Sequence, residues 1–130
     1  MSSGQLFGKA AFIGIGLIGG SLAINLRKHG MAGEIVACAR NEETRNRAVE
    51  LGLCDSATAD PAEAVRDADI VIVCTPVGTY EALAPVFCPA MKPGAILTDV
   101  GSVKAKVVES LAPHVKEGVH LIPGHPIAGT

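Results

Sequence analysis

Between an apolar run and a segment of helical period, the chain reads Gly14-Ile15-Gly16-Leu17-Ile18-Gly19, and no other feature limits its fold so sharply. Three glycines at this spacing are a weak signal by themselves in a chain with 15 glycines. Their placement, directly after a strand-like run and directly before a helix, is what a dinucleotide-binding turn demands. Gly14 permits the tight turn, Gly16 leaves room for a pyrophosphate against the backbone, and Gly19 lets the helix pack closely on the strand. A helix opening at Leu17 and Ile18 would present its free N–H groups and its dipole to the phosphates. A purely structural strand-to-helix turn seldom needs three glycines so placed.

The rest of the chain alternates strand and helix in the same manner. Lys9–Ile15 reads as a first strand and Leu17–His29 as a helix with Ile18, Leu22 and Leu26 on one face, stopped by Gly30. Glu34–Arg40 reads as a second strand. Asn41 then caps a helix running to about Leu51, whose Glu42 and Glu43 suit its positive end. A short third strand is expected near Ser56–Ala59, and a brief helix over Pro61–Arg66 with proline in its first turn. Asp69–Cys74 is a central strand without polar alternation, and Tyr80–Met91 a helix interrupted or bent at Pro85. Ala95–Val100, Val103–Leu111 and His120–Ile122 complete the series as strand, helix and strand. This order predicts one α/β domain of Rossmann type, doubly wound on a mainly parallel sheet of six or more strands.

Composition agrees. With 130 residues, 48% hydrophobic and 18% charged, the chain is long and apolar enough for one packed core. Only 3% of residues are aromatic and none is Trp, so the core is expected to be Ile, Val, Leu and Ala, the palette of parallel strands buried on both faces. A net charge of -2 leaves no basic footprint for nucleic acid. No apolar run approaches the ~18 residues of a membrane span, and Met1-Ser2-Ser3-Gly4 does not begin like a signal peptide. Cys38, Cys54, Cys74 and Cys88 form no C-x-x-C pair. They read as small buried hydrophobes in a reducing cytoplasm, not as disulfides or metal ligands. His29, His114 and His120 are scattered without ligand spacing, so no metal site is expected. The chain stops at Thr130 with no helix after its last strand, and reads as part of a longer protein.

The second strand bears on cofactor choice. An enzyme using NAD ordinarily presents an Asp or Glu there to the ribose 2′-hydroxyl. Here the tip reads Ala37-Cys38-Ala39-Arg40-Asn41, and Glu34 lies at the wrong end. Arg40, with Arg45 or Arg47 in the following helix, has the paired N–H donors that suit a 2′-phosphate. The alternative is that these arginines form only a solvated face. The pattern favours NADP, or use of both NADP and NAD.

Three segments would converge on the carboxyl edge of the sheet, where ligands bind in doubly wound folds. They are Thr75-Pro76-Val77 after the fourth strand, Asp99-Val100-Gly101-Ser102-Val103-Lys104 after the fifth, and His125-Pro126-Ile127-Ala128-Gly129-Thr130 beyond the sixth. Thr75 and Pro76 would face the cofactor. Taken with Gly14-Ile15-Gly16-Leu17-Ile18-Gly19-Gly20-Ser21-Leu22-Ala23, the last two segments make the chain resemble the prephenate (cyclohexadienyl) dehydrogenase family over essentially its whole length. The resemblance implies oxidative decarboxylation of prephenate to 4-hydroxyphenylpyruvate, or of arogenate to tyrosine, in tyrosine biosynthesis. It also implies a helical C-terminal domain, beyond this chain, that forms a homodimer and completes the substrate pocket.

That chemistry needs a group to take up or polarise the proton of the ring hydroxyl as its carbon gains carbonyl character. His125 is the candidate, because an imidazole titrating near neutrality suits proton transfer, and Pro123 and Pro126 would stiffen its loop. By the same resemblance Ser102 would hydrogen-bond the ring hydroxyl or the histidine; it could equally cap the helix that follows. Lys104 reads as either near the site or simply exposed, and Asp99 as ordering the Gly101–Ser102 turn. Two other readings stay open. One is a different dehydrogenase on this fold, such as a β-hydroxyacid dehydrogenase or pyrroline-carboxylate reductase; the other is a nucleotide-binding module that catalyses nothing.

Overall fold

The computed structural model describes residues 7–15, 17–100 and 104–122. Six strands, β1 (Phe7–Ile13), β2 (Ala32–Cys38), β3 (Ser56–Thr58), β4 (Ile70–Val73), β5 (Ile96–Asp99) and β6 (His120–Leu121), form one sheet in the order β3-β2-β1-β4-β5-β6. Every pairing is parallel. Five helices make the crossovers: α1 (Leu17–Lys28), α2 (Glu42–Glu50), α3 (Pro61–Val65), α4 (Tyr80–Phe87) and α5 (Lys104–Leu111).

The period-two geometry of a strand divides β1 between two cores. Ala10 and Phe12 face one side, where Ala23 and Leu26 of α1 and Ala48 of α2 cover them. Ala11 and Ile13 face the other, with Ala64 and Val65 of α3, Ala84 and Phe87 of α4, and Val107 and Leu111 of α5. Both faces of β4 and of the second halves of β1 and β2 are therefore largely buried, which is why residues 10–13, 35–38 and 70–73 read as unbroken apolar runs. The core is mostly aliphatic, as expected, but its largest fully buried side chains are Tyr80, Phe12 and Phe87. Three of the chain's four aromatics are thus fully buried, with Phe7 half-buried, and each buried one stabilises the fold by roughly 1.5–3 kcal/mol over an exposed position.

Local signals act where they were expected. Asn41 Oδ1 accepts hydrogen bonds from the N–H groups of Glu43 and Thr44 at 2.8 and 3.3 Å, capping α2. Gly30 and Gly52 follow α1 and α2 with positive φ, at 65° and 75°. The clearest differences from expectation are at three elements. β1 starts at Phe7, which pairs with Ala32, and ends at Ile13 because Gly14 turns the chain at φ +84°. β2 likewise begins and ends two residues early, releasing Ala39 and Arg40 from the sheet. The helix after β4 runs through Pro85 and gives way at Cys88-Pro89 to a 3₁₀ turn, Cys88–Ala90.

The opposite edge of the sheet is tied by a carboxylate. Asp69 Oδ2 accepts from the N–H groups of Gly8 and Lys9 at 2.6 and 3.1 Å, and its Oδ1 lies 2.6 Å from Lys92 Nζ. This joins the starts of β1 and β4 to the loop before β5, leaving the carboxyl edge as the one with open loops.

Candidate functional site

The register brings the carboxyl ends of the strands level. Ile13 lies opposite both Cys38 and Val73, Cys38 opposite Thr58, and Val73 opposite Asp99. The segments beginning at Gly14, Ala39, Ala59 and Cys74 thus leave the sheet along one edge. Strand order reverses between β1 and β4, and the crevice outside such a reversal is where doubly wound sheets bind ligands. A cavity of about 930 Å³ occupies it, within the span usual for small-molecule sites. Ile13, Gly14 and Ile15 form its floor. Cys38–Asn41, Thr44, Ala59 and Pro61 form one wall, and Thr75, Pro76, Gly78, Thr79, Ala82, Leu83 and Val86 the other.

Gly14 shows why the turn demands glycine. Besides its positive φ, a Cβ added to it would sit 2.7 Å from Thr75 Cγ2 and 3.3 Å from Thr75 N. The Gly14 N–H donates to the Cys38 carbonyl at 2.8 Å, so the turn is held from β2 while it presses against the segment after β4. At Gly14 the floor is bare backbone, as close approach of a pyrophosphate requires. Leu17, Ile18 and Gly19 form the opening turn of α1, which starts from this floor. Gly16 lies outside the described residues, as do Ser102 and His125.

Of the three arginines considered from sequence, only Arg40 lines the crevice. Its side chain is exposed and makes no hydrogen bond or ion pair with a described residue. Arg45 is a correction to the sequence reading. Half-buried, its Nη1 donates to the Ala39 and Arg40 carbonyls at 2.8 and 2.9 Å, so it supports the loop rather than offering donors to a ligand. Arg47 lines a separate open hollow of about 590 Å³ beside α2, with Glu43 and Glu50.

Thr75 and Pro76 line the crevice beyond the end of β4. Thr79, which the sequence reading passed over, joins them: its Oγ1 lies 2.8 Å from Thr75 Oγ1 and 2.7 Å from the Pro76 carbonyl oxygen. The four-residue spacing of the two threonines across Pro76 and Gly78 was the available signal.

The thiolate form of both thiols near the crevice is disfavoured by burial. Burial, helped by the Asp60 carboxylate and opposed by Arg45, pushes Cys38 up to about 11. Burial, helped by Asp99, pushes Cys74 up to about 12. All four cysteines are free thiols. Among the described residues no group of three His, Cys, Asp or Glu side chains could hold a metal ion, and no helix is long and apolar enough to cross a membrane. The crevice suits a dinucleotide: a glycine floor at a helix start, apolar walls and one cation at the rim.

Comparison with known proteins agrees with this geometry. The family described as "Prephenate dehydrogenase, nucleotide-binding domain" matches residues 22–130, a stretch that begins after the glycine turn. The cyclohexadienyl dehydrogenase of Zymomonas mobilis subsp. mobilis is 37% identical over 125 residues, covering 96% of this chain and 42% of that protein. Among solved structures, the prephenate dehydrogenase of A. aeolicus in complex with hydroxyphenyl propionate and NAD+ superposes with a TM-score of 0.82 and 34% identity. That match covers 95% of this chain and 43% of the other. The Synechocystis arogenate dehydrogenase gives a TM-score of 0.79, also at 34% identity, over 90% of this chain and 40% of its own. The chain spans less than half the length of each.

Proposed function

The chain belongs to the prephenate dehydrogenase family through its nucleotide-binding domain, and on that premise we propose that it is the cofactor-holding part of an enzyme converting prephenate to 4-hydroxyphenylpyruvate, or arogenate to tyrosine, by oxidative decarboxylation. The observation that carries this reading is the convergence of Gly14, Arg40, Thr75 and Pro76 on one crevice at the strand-order reversal. A bound nicotinamide dinucleotide supplies the hydride acceptor. Gly14 and the start of α1 hold its pyrophosphate, and the apolar wall of Ala82, Leu83 and Val86 keeps water from one side of it.

Arg40 governs which dinucleotide is preferred. With no carboxylate at the end of β2 and a cation there that has no partner among the described residues, the site favours NADP, or accepts NADP and NAD alike. His125 takes up or polarises the proton of the ring hydroxyl, and Ser102 hydrogen-bonds that hydroxyl or the histidine. These two roles rest on the chemistry of the reaction and on the family's motifs. As the carbon bearing the hydroxyl loses hydride, the ring carboxylate leaves as carbon dioxide and the ring becomes aromatic. A further helical domain would complete the substrate pocket and join two copies of the protein, in the cytoplasm.

The deciding experiment is turnover of prephenate and of arogenate, each with NAD and with NADP, in the protein extended to the length of its relatives. Turnover with at least one pair, and no disadvantage for NADP, is expected. Failure with all four pairs would defeat the proposal.

A further inference from the structure

Thr79 closes a 3₁₀ turn, Val77–Thr79, that runs straight into α4, so its backbone is helical where a capping threonine would be extended and would accept from the N–H groups of the helix's first turn. It makes no such bond. Its Oγ1 turns back into the β4–α4 loop, 2.7 Å from the Pro76 carbonyl oxygen and 2.8 Å from Thr75 Oγ1. A hydroxyl has one hydrogen to donate and two lone pairs with which to accept, and a carbonyl has no hydrogen at all. At 2.7 Å we assign the Thr79 hydrogen to the Pro76 carbonyl, which also accepts from the Thr79 N–H at 2.9 Å, and with it the hydrogen between the two hydroxyls to Thr75. What Thr75 Oγ1 then offers the crevice is lone pairs only.

From this we infer that Thr75 is an obligate acceptor for a ribose hydroxyl of the bound dinucleotide, and that Thr79 is the positioning residue that makes it so. The inference rests on the dinucleotide reading above. An oxygen that can only accept repels phosphate oxygens, which carry no hydrogen on a pyrophosphate at neutral pH. The methyl of Thr75 abuts Gly14, the residue against which the pyrophosphate lies. The donors flanking a pyrophosphate in a dinucleotide are the hydroxyls of its two riboses. The role of the Thr79 hydroxyl is to fix the direction of one hydrogen bond and, with it, the face that Thr75 turns to the crevice.

Calorimetric titration of the chain with NAD+ and NADP+ tests this. Thr79→Val removes the hydroxyl but keeps the shape, and should weaken both dinucleotides about five- to tenfold, the worth of one neutral hydrogen bond. Thr79→Ser should bind within about twofold of the unaltered chain, a rescue that follows from restoring the hydroxyl. Thr75→Val with Thr79→Val should bind no more weakly than Thr75→Val alone, because the relay then has nothing to orient. NAD+ analogues lacking one ribose hydroxyl at a time require no altered threonine at position 79 and show which ribose is held. One of them should lose affinity on the unaltered chain and lose none, relative to NAD+, on Thr75→Val. Undiminished binding by Thr79→Val, binding by Thr79→Ser as weak as by Thr79→Val, or analogues that all behave as NAD+ would each overturn the inference alone. An unaltered chain that binds neither dinucleotide would overturn the nucleotide-holding reading beneath it.

Discussion

Replacing Gly14 with alanine should destabilise the domain by about 2–5 kcal/mol, and about half of that cost should be traceable to one methyl group on another residue. Two terms make up the figure. A left-handed backbone, here at φ +84°, costs a residue with a Cβ about 1–2 kcal/mol. The new Cβ would also lie 2.7 Å from Thr75 Cγ2, and overpacking of this kind costs about 1–3 kcal/mol. Thr75 has little freedom to give way, since it is β-branched and stiff at χ1 and its hydroxyl is bonded to Thr79. Against a typical net stability of about 5–15 kcal/mol, the loss is readily measured by urea denaturation. Thr75→Ser deletes Cγ2 and keeps the hydroxyl, so the cycle of Gly14→Ala, Thr75→Ser and the double variant isolates the clash. The double variant should recover about 1–3 kcal/mol relative to the sum of the singles, leaving the backbone strain in place. Additivity to within about 0.5 kcal/mol would show that the two segments do not interlock.

Other expectations concern the rim of the crevice, the reacting centre and the far edge of the sheet. Arg40→Ala should weaken NADP+ binding about tenfold or more, the scale of a lost charge-assisted hydrogen bond, and change NAD+ binding much less; equal losses in the two titrations would exclude contact with the 2′-phosphate. In the full-length enzyme, His125→Asn should lower kcat by about 10²–10⁴-fold, the range for a general acid–base group, with dinucleotide affinity nearly unchanged; normal turnover would remove His125 from the mechanism. Asp69 has its carboxyl held below the usual range by the Lys92 hydrogen bond, and, against some burial, by the N–H groups of Lys9 and Gly8. A group with a depressed folded-state pKa contributes stability that is present above its unfolded pKa, about 3.9, and fades as pH falls through the folded value. Asp69→Asn should therefore flatten the acid limb of a urea-midpoint profile between pH 2 and 5, and an unaltered limb would count against the bond.

The parts of this fold that were legible in the sequence are those decided within a few residues. The Gly14 turn, the Asn41 cap and the stops at Gly30 and Gly52 each depend on a local backbone requirement, and each appears where its residue stands. The strand ends were less legible because register is set by partners distant in sequence: Phe7 is in β1 because Ala32 lies beside it. Asp69 bonds the backbone of Gly8 across 61 positions, a contact no local pattern announces. Within the site, residue type alone could not sort Arg40 from Arg45. The two are five positions apart with the same chemistry, and only the path of the loop shows that one faces the crevice while the other holds carbonyl groups. Thr79 escaped for a related reason: at a helix start a threonine signals a cap, and the hydroxyl here is turned the other way.

The bonds from Arg45 to the carbonyls of Ala39 and Arg40 separate shape from selectivity in this loop. Because they grip main-chain oxygens, they are indifferent to which side chain stands at position 40. The loop is a fixed mount, and the residue displayed on it can be exchanged without rebuilding the support. Under the role proposed for Arg40, a lineage carrying this arrangement could change the dinucleotide it prefers by a single substitution at the mount, while the glycine floor and the wall of α4 remain as they are.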